Sequence, residues 1–211
     1  MAKSFPLQLK GRSRFIRNLN AFSAHKIFPR LVLRSLLLIV ICKTSSAEVY
    51  LTKDQALDLL FGRNCTVEYD PKSIPDELKR RLEELNLNAE HLPDDFANQP
   101  AHFFTCTKNQ QIIGAALIDS EIGKHLPITY IVGFDKHGTV TKVEIMVFRE
   151  EIGSEVSARD WEAQFEGKDK YAEIKHPQTI RNITGATYSS RAITKGVNRA
   201  RFLWQHFYGP K

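Results

Sequence analysis

Ile128-Thr129-Tyr130-Ile131-Val132-Gly133-Phe134-Asp135-Lys136-His137-Gly138-Thr139-Val140-Thr141-Lys142-Val143-Glu144-Ile145-Met146-Val147-Phe148 reads as a β-hairpin. Two runs rich in β-branched and aromatic residues, 128–134 and 139–148, flank the turn residues Asp135-Lys136-His137-Gly138. Upstream, Ala101 to Thr107 and Ile112 to Ser120 have the same composition and are also separated by turn chemistry. Such short connections require antiparallel pairing, because a parallel crossover needs about a dozen residues or more. The expected fold is α+β: an antiparallel meander of about four strands with flanking helices.

Three helices are expected around that sheet. Thr52 and Gln55 stand at capping-box spacing ahead of an apolar pattern that runs to Phe61, and Gly62 closes it. Ser73 as cap and Pro75 in the first turn open a second helix, with Ile74, Leu78, Leu82 and Leu85 on one side. Its other side alternates acid and base and reads as a solvated face. The last helix runs from about Ser189 to about Phe207. Ile193, Val197, Ala200, Trp204 and Phe207 recur there at intervals of four, three, four and three, a stripe suited to packing on the sheet.

Ahead of that helix, Asn182-Ile183-Thr184-Gly185-Ala186-Thr187-Tyr188-Ser189-Ser190 joins a Gly-bearing turn, several hydroxyls and a helix start. Gly185 can take a backbone conformation closed to other residues, and Ser189 or Ser190 is placed to cap. Free N–H groups with the helix dipole behind them favour an anion, so the stretch reads as a phosphate site.

Thr184-Gly185-Ala186-Thr187 resembles the Ser/Thr-Gly-Ala-Thr motif of FMN-binding domains, the family that includes the FMN-carrying subunits of sodium-pumping NADH:quinone reductases and of Rnf complexes. Gly123-Lys124-His125-Leu126-Pro127-Ile128 and Phe148-Arg149-Glu150-Glu151-Ile152-Gly153-Ser154-Glu155-Val156 are similar to two further family segments. Arg181 stands where the family pattern has Asp, and Ser154 replaces a Gly.

The resemblance implies FMN held through a phosphoester on Thr187, put there by a separate flavin transferase. Thr184, Gly185, Ala186, Tyr188, Ser189 and Ser190 would surround the attachment. His125 would hydrogen-bond the ring or relay a proton, Gly153 would allow close backbone approach, and Glu155, beside Val156, would bond the ring or ribityl chain. Trp161, in the segment Arg159 to Lys168 that looks like a short family helix, is either core or a wall of the cofactor site. The implied role is electron carriage to or from membrane electron-transfer proteins, quinone- or haem-linked. A flavin-binding sensory or assembly module is an alternative, as is an exported binding domain without flavin.

The formal charge of +6 comes from the leader. Residues 1–47 hold nine of the 30 Lys and Arg and no Asp or Glu, so the remainder carries 21 basic against 24 acidic residues. No basic stripe is left for nucleic acid, which is not expected as a partner. A basic start, the apolar run Leu36 to Cys42 and then Ser45-Ser46-Ala47 read as a secretory signal or an uncleaved anchor. The expected location is therefore periplasmic, or the outer face of the cytoplasmic membrane. Residues 48–211 are expected to make one domain, FMN-binding as the resemblance implies, in which Cys65 and Cys106 form a disulfide or remain two buried thiols. No nucleotide-binding Gly-rich loop, zinc spacing or nucleophile elbow occurs.

Overall fold

Strands β1 (Glu48–Val49), β2 (Thr66–Lys72), β3 (Ala101–Lys108), β4 (Gln111–Ile122), β5 (Pro127–Asp135) and β6 (Val140–Phe148) form one antiparallel sheet in the order β1-β6-β5-β4-β3-β2. The structure, a computed structural model, describes residues 47–88 and 99–210. The expected leader therefore lies outside the described residues, save Ala47. The four expected strands are the middle of the sheet, and β1 and β2 extend its edges. Asp135 fixes the β5–β6 turn by accepting the N–H groups of His137 and Thr139 at 2.8 and 2.9 Å.

Strand alternation gives the sheet two apolar faces. On one, Phe103, Leu117, Tyr130, Val132 and Ile145 meet Ile193, Val197 and Leu203 of the last helix and Leu78 and Leu82 of α2 (Asp76–Glu84). On the other, Phe104, Ala116, Ile131 and Met146 meet Ala56 and Leu57 of α1 (Lys53–Phe61). Fully burying each large side chain is worth about 1.5–3 kcal/mol. Helix α1 starts from the expected capping box, with Gln55 N–H donating to Thr52 Oγ1 and Thr52 N–H to Gln55 Oε1.

The structure corrects two helix expectations. Pro75 itself is the N-cap of α2, so Ser73 caps nothing, and Leu85 is half exposed because the helix has already ended. Helix α3 (Arg159–Glu162) is a single turn, continued as a 3-10 turn to Phe165. The last helix, α4, spans Thr187–Tyr208, two residues earlier than expected.

A disulfide joins Cys65 to Cys106 and ties the entry of β2 to β3, setting aside the free-thiol alternative. Close contact between helix and sheet depends on small residues. A Cβ on Gly196 of α4 would collide with the hydroxyl end of Tyr130, and one on Gly133 would meet Leu60 of α1 at 2.7 Å. Tyr130 is fully buried and has nowhere to retreat. Gly196→Ala is expected to cost about 1–3 kcal/mol by overpacking, seen as a lower midpoint in urea unfolding.

Candidate functional site

Three segments from distant parts of the sequence meet at one end of the sheet. They are the β4–β5 turn at 123–127, the loop after β6 at 149–157, and the start of α4 with its preceding turn at 182–190. Glu150 joins the first two, its Oε1 accepting the N–H groups of His125 and Leu126, the second at 2.9 Å. Arg149 adds a second tie, donating to Pro127 O and Thr129 Oγ1, each at 2.9 Å. Gly153 joins the second segment to the third. It has φ +101°, and a Cβ there would meet Ser189 Oγ at 2.6 Å and Ala186 at 3.4 Å, so only glycine lets this loop reach the helix start.

A third clamp fixes the approach to the turn. Trp161 Nε1 donates to the carbonyl of Arg181 at 2.8 Å, and Arg181 N–H donates to Gln164 Oε1 at 2.8 Å. The Arg181 guanidinium pairs with Asp160 at 2.8 Å, both side chains exposed. His176 Nε2 bonds Asn182 Oδ1 at 2.9 Å just before the turn begins.

Thr187 is the first residue of α4 and half-buried, while Thr184, Gly185 and Tyr188 are exposed. Neither Ser189 nor Ser190 caps the helix. The N-cap is Ala186, without a side-chain bond, because its methyl packs into the core and both serines are carried inside the first turn. The first-turn N–H groups, which have no intrahelical acceptor, are thereby left to whatever occupies the turn. Gly185 has φ +88°, and a Cβ there would have nothing within 4 Å, so the turn opens on free space. Ser190 Oγ is buried without a hydrogen-bond partner among the described residues. An uncapped helix start, an orphaned hydroxyl and an open glycine turn fit a phosphate-bearing group.

The other expected residues divide. His125 and Glu155 are exposed on their loops. Val156 and Trp161 are wholly buried, and Trp161 stacks edge-on to Phe165 at 5.3 Å, so both side chains belong to the core and neither lines an open face. Among the open positions, Leu126 (37% exposed), Ile152 (70%) and Tyr188 (57%) place one exposed apolar side chain on each converging segment. Arg149, Glu150, Asp160 and Gln164 organise the site. Their signal lay in the quoted segments, yet nothing local says that Glu150 reaches back 25 residues to His125.

A cleft of about 690 Å³ between α2, α4 and the sheet, lined in part by His102, Asp119, Ser120, Thr129 and Arg199, contains none of the expected site residues. Its charged centre, Arg199 with Asp119, is engaged internally. Among the described residues no group of three or more His, Cys, Asp or Glu is placed to hold a metal ion.

Beneath the site, Glu162 of α3 accepts the Ile145 N–H at 2.8 Å. Burial pushes its carboxyl up to about 8, with neighbouring Glu144 adding to the rise.

Residues 123–201 match the family model of the FMN-binding domain, a stretch that contains all three converging segments. No curated protein matches the chain. The crystal structure of NqrC from Shewanella oneidensis is similar at 15% identity and a TM-score of 0.42, covering 68% of this chain and 79% of that one. The family match points to FMN as the cofactor.

A carboxyl that titrates higher in the folded state retains its proton while the unfolded chain loses it, so stability falls as pH rises. For Glu162 the window runs from about 4.5 to about 8, with a slope of at most about 1.4 kcal/mol per pH unit. Glu162→Gln is expected to flatten that part of the pH dependence in urea unfolding measured across the window. An unchanged slope would show that Glu162 is ionised in the fold.

Proposed function

Because residues 123–201 match the FMN-binding domain, we propose that this chain is an exported flavoprotein that carries FMN on Thr187 and exchanges electrons with membrane redox partners. The observation that carries the reading is the half-buried Thr187 at an uncapped helix start beside a glycine turn that opens on free space. First-turn N–H groups and the dipole of a 22-residue helix would hold the phosphate. Leu126, Ile152 and Tyr188 offer one exposed apolar side chain from each segment, and His125 supplies an imidazole to hydrogen-bond the ring or relay a proton.

FMN, when bound, accepts and returns one or two electrons. A threonine hydroxyl is a weak nucleophile without a base, so its attachment calls for a separate flavin transferase. The Cys65–Cys106 disulfide supports an oxidising compartment, as does a leader that reads as a secretory signal or anchor. A second reading, noncovalent FMN, is favoured by Arg181, which stands where the family pattern has Asp and is paired with Asp160.

Protein co-expressed with a flavin transferase is expected to be yellow and to keep its fluorescence on a denaturing gel, and Thr187→Ala to lose that band. Colour released on denaturation would select the noncovalent reading, and colourless protein would overturn both. Electron carriage is checked separately by the reduction and reoxidation of the bound flavin with membrane fractions. A flavin inert to both would sink that part.

A further inference from the structure

Glu150 is not placed for solvent. Both hydrogen bonds it accepts end on one oxygen, Oε1, which receives the N–H groups of His125 and Leu126. Gly123 makes room for it. A Cβ at Gly123 would lie 2.8 Å from Glu150 Oε1 and 3.2 Å from its Cγ, so the carboxylate occupies the space a side chain would fill. The neighbouring Arg149 holds the chain just beyond, at Pro127 O and Thr129 Oγ1 where β5 begins. Two successive residues thus hold the second half of the β4–β5 turn and the start of β5, and three residues later Gly153 lies against Ser189 and Ala186 at the start of α4.

We infer that Glu150 is a positioning residue of the flavin site, whose carboxylate holds the His125 turn at a fixed distance from the Thr187 turn. The inference rests on the FMN reading for what lies between the two turns, and on the hydrogen bonds alone for the clasp itself. A backbone N–H bound to a carboxylate makes a stronger bond than one bound to a neutral acceptor. Two such bonds on one oxygen lock the turn as a unit, and with it the imidazole beside the ring. Because only one oxygen is used, the carbonyl oxygen of a glutamine can replace it.

The test uses the full chain and two readouts. In hydrogen exchange without flavin, Glu150→Ala is expected to speed exchange of the His125 and Leu126 amides at least tenfold while amides in the centre of β4 and β5 stay protected. Glu150→Gln is expected to restore most of that protection. Gly123→Ala, whose Cβ would fall 2.8 Å from Glu150 Oε1 and 3.0 Å from Ile128 Cδ1, is expected to loosen the same two amides. Unchanged exchange at these two amides, or a Gln variant as loose as the Ala variant, would overturn the clasp.

In flavin-loaded protein, Glu150→Ala is expected to shift the flavin midpoint potential and emission in the same sense as His125→Ala, and the double variant to go no further than His125→Ala alone. Additive shifts would mean that Glu150 acts on the ring by its own charge, and would overturn the positioning role. Wild-type protein that takes up no flavin would overturn the reading of the site instead, a result separable from the exchange measurement.

Discussion

Arg199 decides where α4 lies on the sheet. Its guanidinium reaches the carboxylates of Asp119 and Glu121, the carbonyl of Ser120 and the hydroxyl of Tyr130, all on β4 and β5. Arg199 and Glu121 are each only 3% exposed. Burial pushes Glu121 up to about 7 against the pull of Arg199 and Lys195, and a buried charge network of this kind is in general weak evidence for net stability. Its effect is on register. Sliding α4 by one turn would strand a buried guanidinium, a loss of several kcal/mol, and would drive a Cβ-bearing residue into Tyr130 where Gly196 now lies. Thr187 is twelve residues before Arg199, about 18 Å along a rigid rod, so an anchor deep in the core fixes the position of a surface hydroxyl.

The other two segments reach that hydroxyl from strands whose register is already set. The β4–β5 turn and the end of β6 lie at the same end of the sheet because Thr129 pairs with Val147. Strand β1 joins at that edge, with Glu48 opposite Phe148, so the chain enters the domain beside the site loop. Tyr50 follows, its hydroxyl donating to Glu48 Oε2 at 2.8 Å, and burial together with that carboxylate raises its phenol. Loops built this way are stiff because each is tied at two points, which is what a cofactor site needs if its geometry is to be held.

The parts of this arrangement that are local in sequence were legible there. The Thr52–Gln55 box, the Asp135–Gly138 turn, the central four strands and the α4 stripe each depend on residues a few positions apart. Strand β2 was hidden because Pro71 and its charged neighbours break the strand signature, and an edge position is what makes that proline tolerable. The helix start was misplaced by two residues because burial of Ala186, a tertiary effect, outweighed the capping preference of serine. Trp161 illustrates the same limit. Composition cannot say whether an indole faces a ligand or the core, and only the fold shows this ring fully buried against Phe165. Arg199 and Glu121 are 78 residues apart, and no pattern announces a charge pair at that separation.

One of the two faults in the β5–β6 pairing lies at the site's end of the sheet. The β5–β6 register shifts between Thr129 and Tyr130, whose partners are Val147 and Ile145, so Met146 is the extra residue of a bulge. A bulge bends its strand and increases its twist. Beyond it lie Phe148, Arg149 and Glu150, and the last two turn their side chains back to the β4–β5 connection. Next to it the Ile145 N–H bonds Glu162, a buried carboxyl whose titration burial pushes upward. Burying that acid is unfavourable by itself, but it gives the N–H beside the bulge an acceptor and fastens α3 to the sheet. Helix α3 in turn supplies Trp161, and the same short turn supplies Gln164, which hold the chain at Arg181 just ahead of the Thr187 turn. One extra residue in a strand thus aims one side of the site, and the acid that satisfies its neighbour braces the other.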